Sequence, residues 1–80
     1  MSHMDFTRKK IDHLNISLEV GKYYSWTRGN HIRWSGIYAG FDKRNSKFYF
    51  SMTKIHYFES PQYLGDTGQS DDTIYDLQIE

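Results

Sequence analysis

The sequence predicts an all-β domain: a bent antiparallel meander of four to five strands that closes on itself as a small barrel. Three observations carry this reading. Apolar and polar residues alternate with period two in four separate segments, the spacing that lays one face of a strand on a core. Turn-forming residues separate those segments at short intervals, as hairpins require. Five Phe, seven Tyr and two Trp among 80 residues bring enough buried area for a short chain to build a core without disulfides, and there is no cysteine to make any.

The elements follow in order. Met1-Ser2-His3-Met4 reads as an expression-vector remnant, leaving one domain over residues 5–80. Residues 5–13 contain Thr7-Arg8-Lys9-Lys10 and fit either a short N-terminal helix or a basic arm. Leu14, Ile16, Leu18 and Val20 alternate with polar residues as a first half-buried strand, which Gly21 ends. Residues 22–27 continue as an extended aromatic segment, and Arg28-Gly29-Asn30 supplies residues that tolerate positive φ in a tight hairpin.

Residues 31–42 alternate in two phases. Ile32 and Trp34 share one face, and Ile37, Ala39 and Phe41 the other, so the pattern predicts a β-bulge at Gly36. Lys43-Arg44-Asn45-Ser46 is a polar hairpin loop with Asn45 suited to its left-handed position. Residues 47–58 slip as well: Phe48, Phe50 and Met52 share one face and Ile55 and Tyr57 the other, placing a second bend near Thr53-Lys54. Residues 59–72 hold Pro61, Gly65 and Gly68 with only Tyr63 and Leu64 as anchors, and read as a long polar loop that can be removed without loss of the fold. Tyr75, Leu77 and Ile79 then alternate as a last strand facing the core. Long bent strands wrapped around one core make an SH3-like barrel the economical architecture.

Zero net charge hides an asymmetry. All ten Lys and Arg precede position 60, against five acids there, while the last twenty residues carry five acids and no base. A basic body with an acidic tail fits an anionic partner screened by the tail; it fits better a tail that pairs with the body for stability.

Catalytic material is sparse. There is no cysteine nucleophile and no Gly-x-Ser-x-Gly elbow, and Ser35-Gly36 lies inside a strand. His13, His31 and His56 are far apart in sequence, and Gly65-Asp66-Thr67-Gly68 lacks the Lys-Ser/Thr of a phosphate loop. The residues 66–72 miss the spacing of a calcium loop. The expectation is therefore no enzyme, no metal and no cofactor.

One constellation has content: basic and aromatic side chains interleaved on strands. If Trp34, Phe48 and Phe50 point inward, then Arg33, Lys47 and Tyr49 point outward. The candidate binding residues are Trp26, Arg28, Arg33, Lys47, Tyr49, Tyr63 and Leu64. Tyr, Trp and Arg are the usual anchors of protein interfaces, and exposed rings beside cations also suit single-stranded nucleic acid. Neutral net charge favours a non-catalytic module acting through a protein surface, of adaptor or inhibitor type, over binding of nucleic acid or a nucleotide. Unpaired edges make a homodimer compatible with the pattern. The sequence has no apolar run of the roughly 20 residues that span a bilayer and no signal segment, so no membrane is implied and a cytoplasmic location is expected.

Overall fold

Strands that carry extra residues must bend, and the bends here turn one sheet into a barrel. The computed structural model describes residues 3–29, 31–57 and 59–80. Its strands are β1 Met4–Asp5, β2 Lys9–Ile11, β3 Ile16–Leu18, β4 Tyr23–Arg28, β5 Ile32–Asp42, β6 Lys47–His56, β7 Pro61–Gln69 and β8 Tyr75–Ile79, with 3-10 turns at Asp12–Leu14 and Asp71–Thr73. The main sheet runs β7-β6-β5-β4-β8, with β1 paired to the end of β5, while β2 and β3 form a separate hairpin. All pairings are antiparallel. The all-β small barrel expected from the alternation is the observed fold, left open between β7 and β8.

The core is aromatic. Tyr24, Trp26, Tyr38, Phe48 and Phe50 are buried with Ile11, Leu18, Ile74 and Leu77, and Trp26 packs on Phe50 with ring centroids 4.3 Å apart. Each fully buried large side chain contributes about 1.5–3 kcal/mol. Ile11 and Leu18 come from the β2–β3 hairpin, so the N-terminal segment is neither a helix nor a free arm. It plugs the barrel, and His13 fastens it by a 2.7 Å hydrogen bond from Nε2 to the Ile74 carbonyl. The first alternating run is correspondingly shorter than its pattern: Leu14 lies in the 3-10 turn and Val20 is exposed.

Bulges relocate several side chains. In β5, Trp34 lies opposite Trp26, Gly36 opposite Tyr24, and Tyr38 opposite Phe50, so residues 34, 36 and 38 share the inward face. Tyr38, not Ile37, fills the core. The register shifts at Gly36, as expected, but the extra residue is in β6; in β5 itself the slip falls at Ala39–Gly40, after which Phe41 faces Phe48. Gly40 has φ +135, and a Cβ there would meet Met4 and Phe6.

In β6 the slip falls at Met52, whose φ is 54. Met52 is therefore 62% exposed instead of sharing the inner face with Phe48 and Phe50, and Thr53 and Ile55 resume the buried run. Tyr57 is exposed, and Phe58 lies outside the described residues.

The turns are as short as expected. Gly29 and His31 adopt positive φ between β4 and β5, with Asn30 outside the described residues. In the β5–β6 hairpin Ser46, not Asn45, takes the left-handed position. The segment read as a removable loop is largely strand: β7 makes a long ladder with β6 from Phe48↔Gln69 to His56↔Pro61. It lies at the sheet edge with residues 61–66 exposed, so no alternation marks it. Within β8 Leu77 is the buried residue, and Ile74 just before the strand is buried too, whereas Tyr75 and Ile79 are exposed.

Candidate nucleic-acid interface

Basic side chains from three parts of the chain gather where the β5–β6 hairpin, the β2 strand and the corner between β7 and β8 meet. Lys43 and Arg44 are exposed on the hairpin turn, and Lys47 begins β6. Lys9 and Lys10 line a groove of ≈ 190 Å³ with Phe41, Phe48, Ser46, Asp12 and Asp71. The Lys9 ammonium sits 4.5 Å above the Phe41 ring.

Acids lie nearby, yet two of them are spent on the fold. Asp42 Oδ1 accepts the backbone N–H of Arg44 at 2.9 Å and of Asn45 at 3.3 Å, and Oδ2 accepts the Asn45 amide at 2.8 Å. The Asn45 side-chain bond, then the turn N–H groups, hold the Asp42 carboxyl below its ordinary range. Asp5 is engaged by the hydroxyl and N–H of Thr7, which lower its carboxyl likewise. The ion pairs among the described residues join Arg8 and Lys22 to Glu19, and Arg33 to Asp76. None of them uses Lys9, Lys10, Lys43, Arg44 or Lys47. That end of the barrel presents five cations outside any described ion pair beside a half-buried aromatic ring, with Asp12 and Asp71 in the same groove and Asp5 close enough to Lys43 and Lys9 to feel their charge.

The sequence-derived candidates are distributed more widely. Lys47 donates to Ser70 Oγ at 2.7 Å, and Arg28 donates to Gln69 Oε1 at 3.0 Å. Two consecutive corner residues thus hold Arg28 and Lys47, and the Arg28 bond ties β4 to the end of β7. Arg28 also lies 4.8 Å over Trp34, a cation–π contact. Trp26 is fully buried and serves the core, so it presents no surface. Arg33 and Tyr49 point outward as expected, but Arg33 donates to Ser25 Oγ, Thr27 Oγ1 and the Asp76 carbonyl. Tyr49 lies across from Gly68, where an added Cβ would meet its ring at 3.2 Å.

Tyr63 and Leu64 are on the β7 edge, with Lys54 5.0 Å over the Tyr63 ring. Lys9, Lys10, Lys43 and Arg44 were not among the candidates. Their signal was present as two adjacent basic pairs, one in a predicted hairpin loop, but nothing local says that the pairs converge.

A Ser–His contact also exists. Ser35 Oγ is 2.8 Å from His56 Nε2 and 2.9 Å from Tyr23 Oη. Ser35 is 1% exposed in mid-strand, so its oxygen is a link in a hydrogen-bonded row, out of reach of an acyl carbon.

No family model matches the sequence, and no curated protein matches it either. Solved structures do share the fold. The chain is similar to the P. aerophilum SmAP1 heptamer, with a TM-score of 0.64 at 11% identity over 76% of this chain and 81% of that one. It is equally similar to a heptameric archaeal Sm protein described with implications for the eukaryotic snRNP core, with a TM-score of 0.64 at 11% identity over 76% of this chain and 88% of that one. The fold is thus an Sm-like small barrel. No described helix is long and apolar enough to cross a membrane.

Proposed function

We propose that this chain is a non-catalytic binding module for single-stranded nucleic acid, which it engages at the hairpin end of the barrel. One observation carries this: Lys9, Lys10, Lys43, Arg44 and Lys47 gather at one end of the barrel, and none of the ion pairs among the described residues engages them, although Asp5, Asp12 and Asp71 lie close by. Phosphates can pair with these cations, and Phe41 offers an apolar surface beside them. The reading reverses the order that net charge suggests, because charge placement and not its sum sets local potential. Likeness to a protein described in connection with a ribonucleoprotein core supports it.

The test is fluorescence anisotropy with a labelled mixed-sequence single-stranded RNA at two salt concentrations. Binding that weakens as salt rises is expected. An unchanged anisotropy at low salt removes the reading.

A second reading, contact with other protein, has its own observation. Both end strands of the open sheet are unpaired among the described residues, and both expose apolar side chains: Tyr63 and Leu64 on β7, Tyr75 and Ile79 on β8. Bare apolar edges are normally covered. Because β7 and β8 differ, pairing one with the other is head to tail and leaves free edges at both ends of a pair. That favours a ring or higher assembly of this chain over a homodimer, in keeping with the heptamers that share its fold. Sedimentation equilibrium checks it, and a monomer at every concentration counts against it.

A further inference from the structure

We infer that Arg33 sets the register of edge strand β8 and thereby decides which side chains that edge offers to a neighbouring copy. The second half of this inference rests on the edge-to-edge reading above.

Leu77 of β8 and Ile74, the residue just before that strand, are both buried, yet residues three apart do not share one face of regularly extended chain. An extra residue must lie between them. The ladder locates it: Ser25 pairs with Gln78 and Thr27 with Tyr75, so Trp26 alone faces both Leu77 and Asp76. Asp76 absorbs the insertion in a left-handed conformation, φ 50, which non-glycine residues seldom adopt unaided.

Arg33 contacts each part of this irregularity. Its Nη1 donates to the Asp76 carbonyl at 2.7 Å and to Thr27 Oγ1 at 3.0 Å, and Nη2 donates to Ser25 Oγ at 2.7 Å. Ser25 and Thr27 are the two residues that bound the slip. One planar group on β5 therefore grips both ends of the bulge on β4 and its apex on β8. The Asp76 carboxylate adds little, at 3.5 Å and largely exposed. The bulge sends Tyr75 outward and leaves Ile74 in the core. Without it, every side chain before Leu77 would change face, and the edge would lose its exposed ring.

Three variants test this: R33Q, D76G and R33Q/D76G. Glycine occupies the left-handed region without help, so it should relieve the bulge of its need for Arg33. Cross-strand NMR contacts report the register, and sedimentation equilibrium reports assembly. R33Q should lose the Thr27–Tyr75 contact and weaken self-association by about tenfold or more. D76G should behave as the parent, and R33Q/D76G should regain both register and association.

If R33Q melts earlier but keeps its register and mass, Arg33 is only a stabilising contact and the inference is overturned. Should R33Q alone fail to fold, the double variant decides: lack of the parental register there also overturns the inference. If the parent never assembles while R33Q still slips, the edge-to-edge reading and the assembly half of this inference fall, and the register half stands.

Discussion

Asn45 donates its side-chain amide to Asp42 Oδ2 at 2.8 Å while the Arg44 and Asn45 N–H groups point at Oδ1, so a single carboxylate shapes the turn that displays Lys43 and Arg44. Since these bonds hold the folded-state carboxyl below its ordinary range, their stabilisation is fully present above about pH 4, the unfolded Asp value. It is lost as pH falls through the depressed folded value. NMR titration should find Asp42 ionising below an ordinary aspartate, with the Asn45 amide resonances moving in step. A midpoint near 4 contradicts the assignment.

Replacing both Lys43 and Arg44 by alanine should weaken RNA binding and lower the slope of log affinity against log salt by about 1.4, since each phosphate contact on a single strand is worth about 0.7. Thermal stability should hardly change, because both side chains are exposed. Binding curves that superimpose on the parent's would move the interface elsewhere.

Gly36→Val should cost more than about 1 kcal/mol, read from the denaturant midpoint. A Cβ at position 36 would stand 3.0 Å from Phe50 Cβ and 3.3 Å from the Ser51 carbonyl. Neither atom is the flexible end of a side chain. An unaltered midpoint would mean that β5 and β6 can part at no cost.

Tyr38 Oη is buried with no hydrogen-bond partner among the described residues. Tyr38→Phe should therefore leave stability unchanged or raise it by up to about 1 kcal/mol. Burial pushes the Tyr38 hydroxyl well above its ordinary value. The unfolded chain ionises first, so this residue's contribution is intact below about pH 10 and lost as pH rises beyond it. The variant should accordingly resist alkaline unfolding better than the parent, as circular dichroism can follow.

Hairpins and core rings were legible where local chemistry decides them. The 43–46 loop, the positive φ at Gly29 and the inward Phe48 and Phe50 all follow from turn residues and alternation. Bulges broke the reading elsewhere. Alternation made Ile37 and Met52 look buried, but extra residues at Ala39–Gly40 and at Met52 change the phase; Gly36 drew the bulge assignment although Gly40 carries the slip in β5, and nothing in the residue type of Met52 announces an insertion. Strand β7 was hidden because an edge strand exposed on both faces has no reason to alternate. For the proposed interface, the outward phase of Lys47 was legible. Lys9 and Lys10 were not, because only the docking of the β2–β3 hairpin brings them beside Phe41. Trp26 was misplaced for a related reason: ring type alone does not tell an interface anchor from a core filler.

The His13–Ile74 hydrogen bond, which joins positions 61 residues apart, bears on how the molecule is made. Ile11 and Leu18 reach the core from the beginning of the chain, Ile74 and Leu77 from its end. During synthesis the earlier residues must therefore wait, unburied, until Ile74 and Leu77 have emerged. Closure of so long a loop is paid for in entropy before any contact rewards it, which places this fold among the slower folders of its size. A nascent chain halted before Ile74 would carry its aromatic interior exposed, in a form suited to aggregation or to capture by a chaperone.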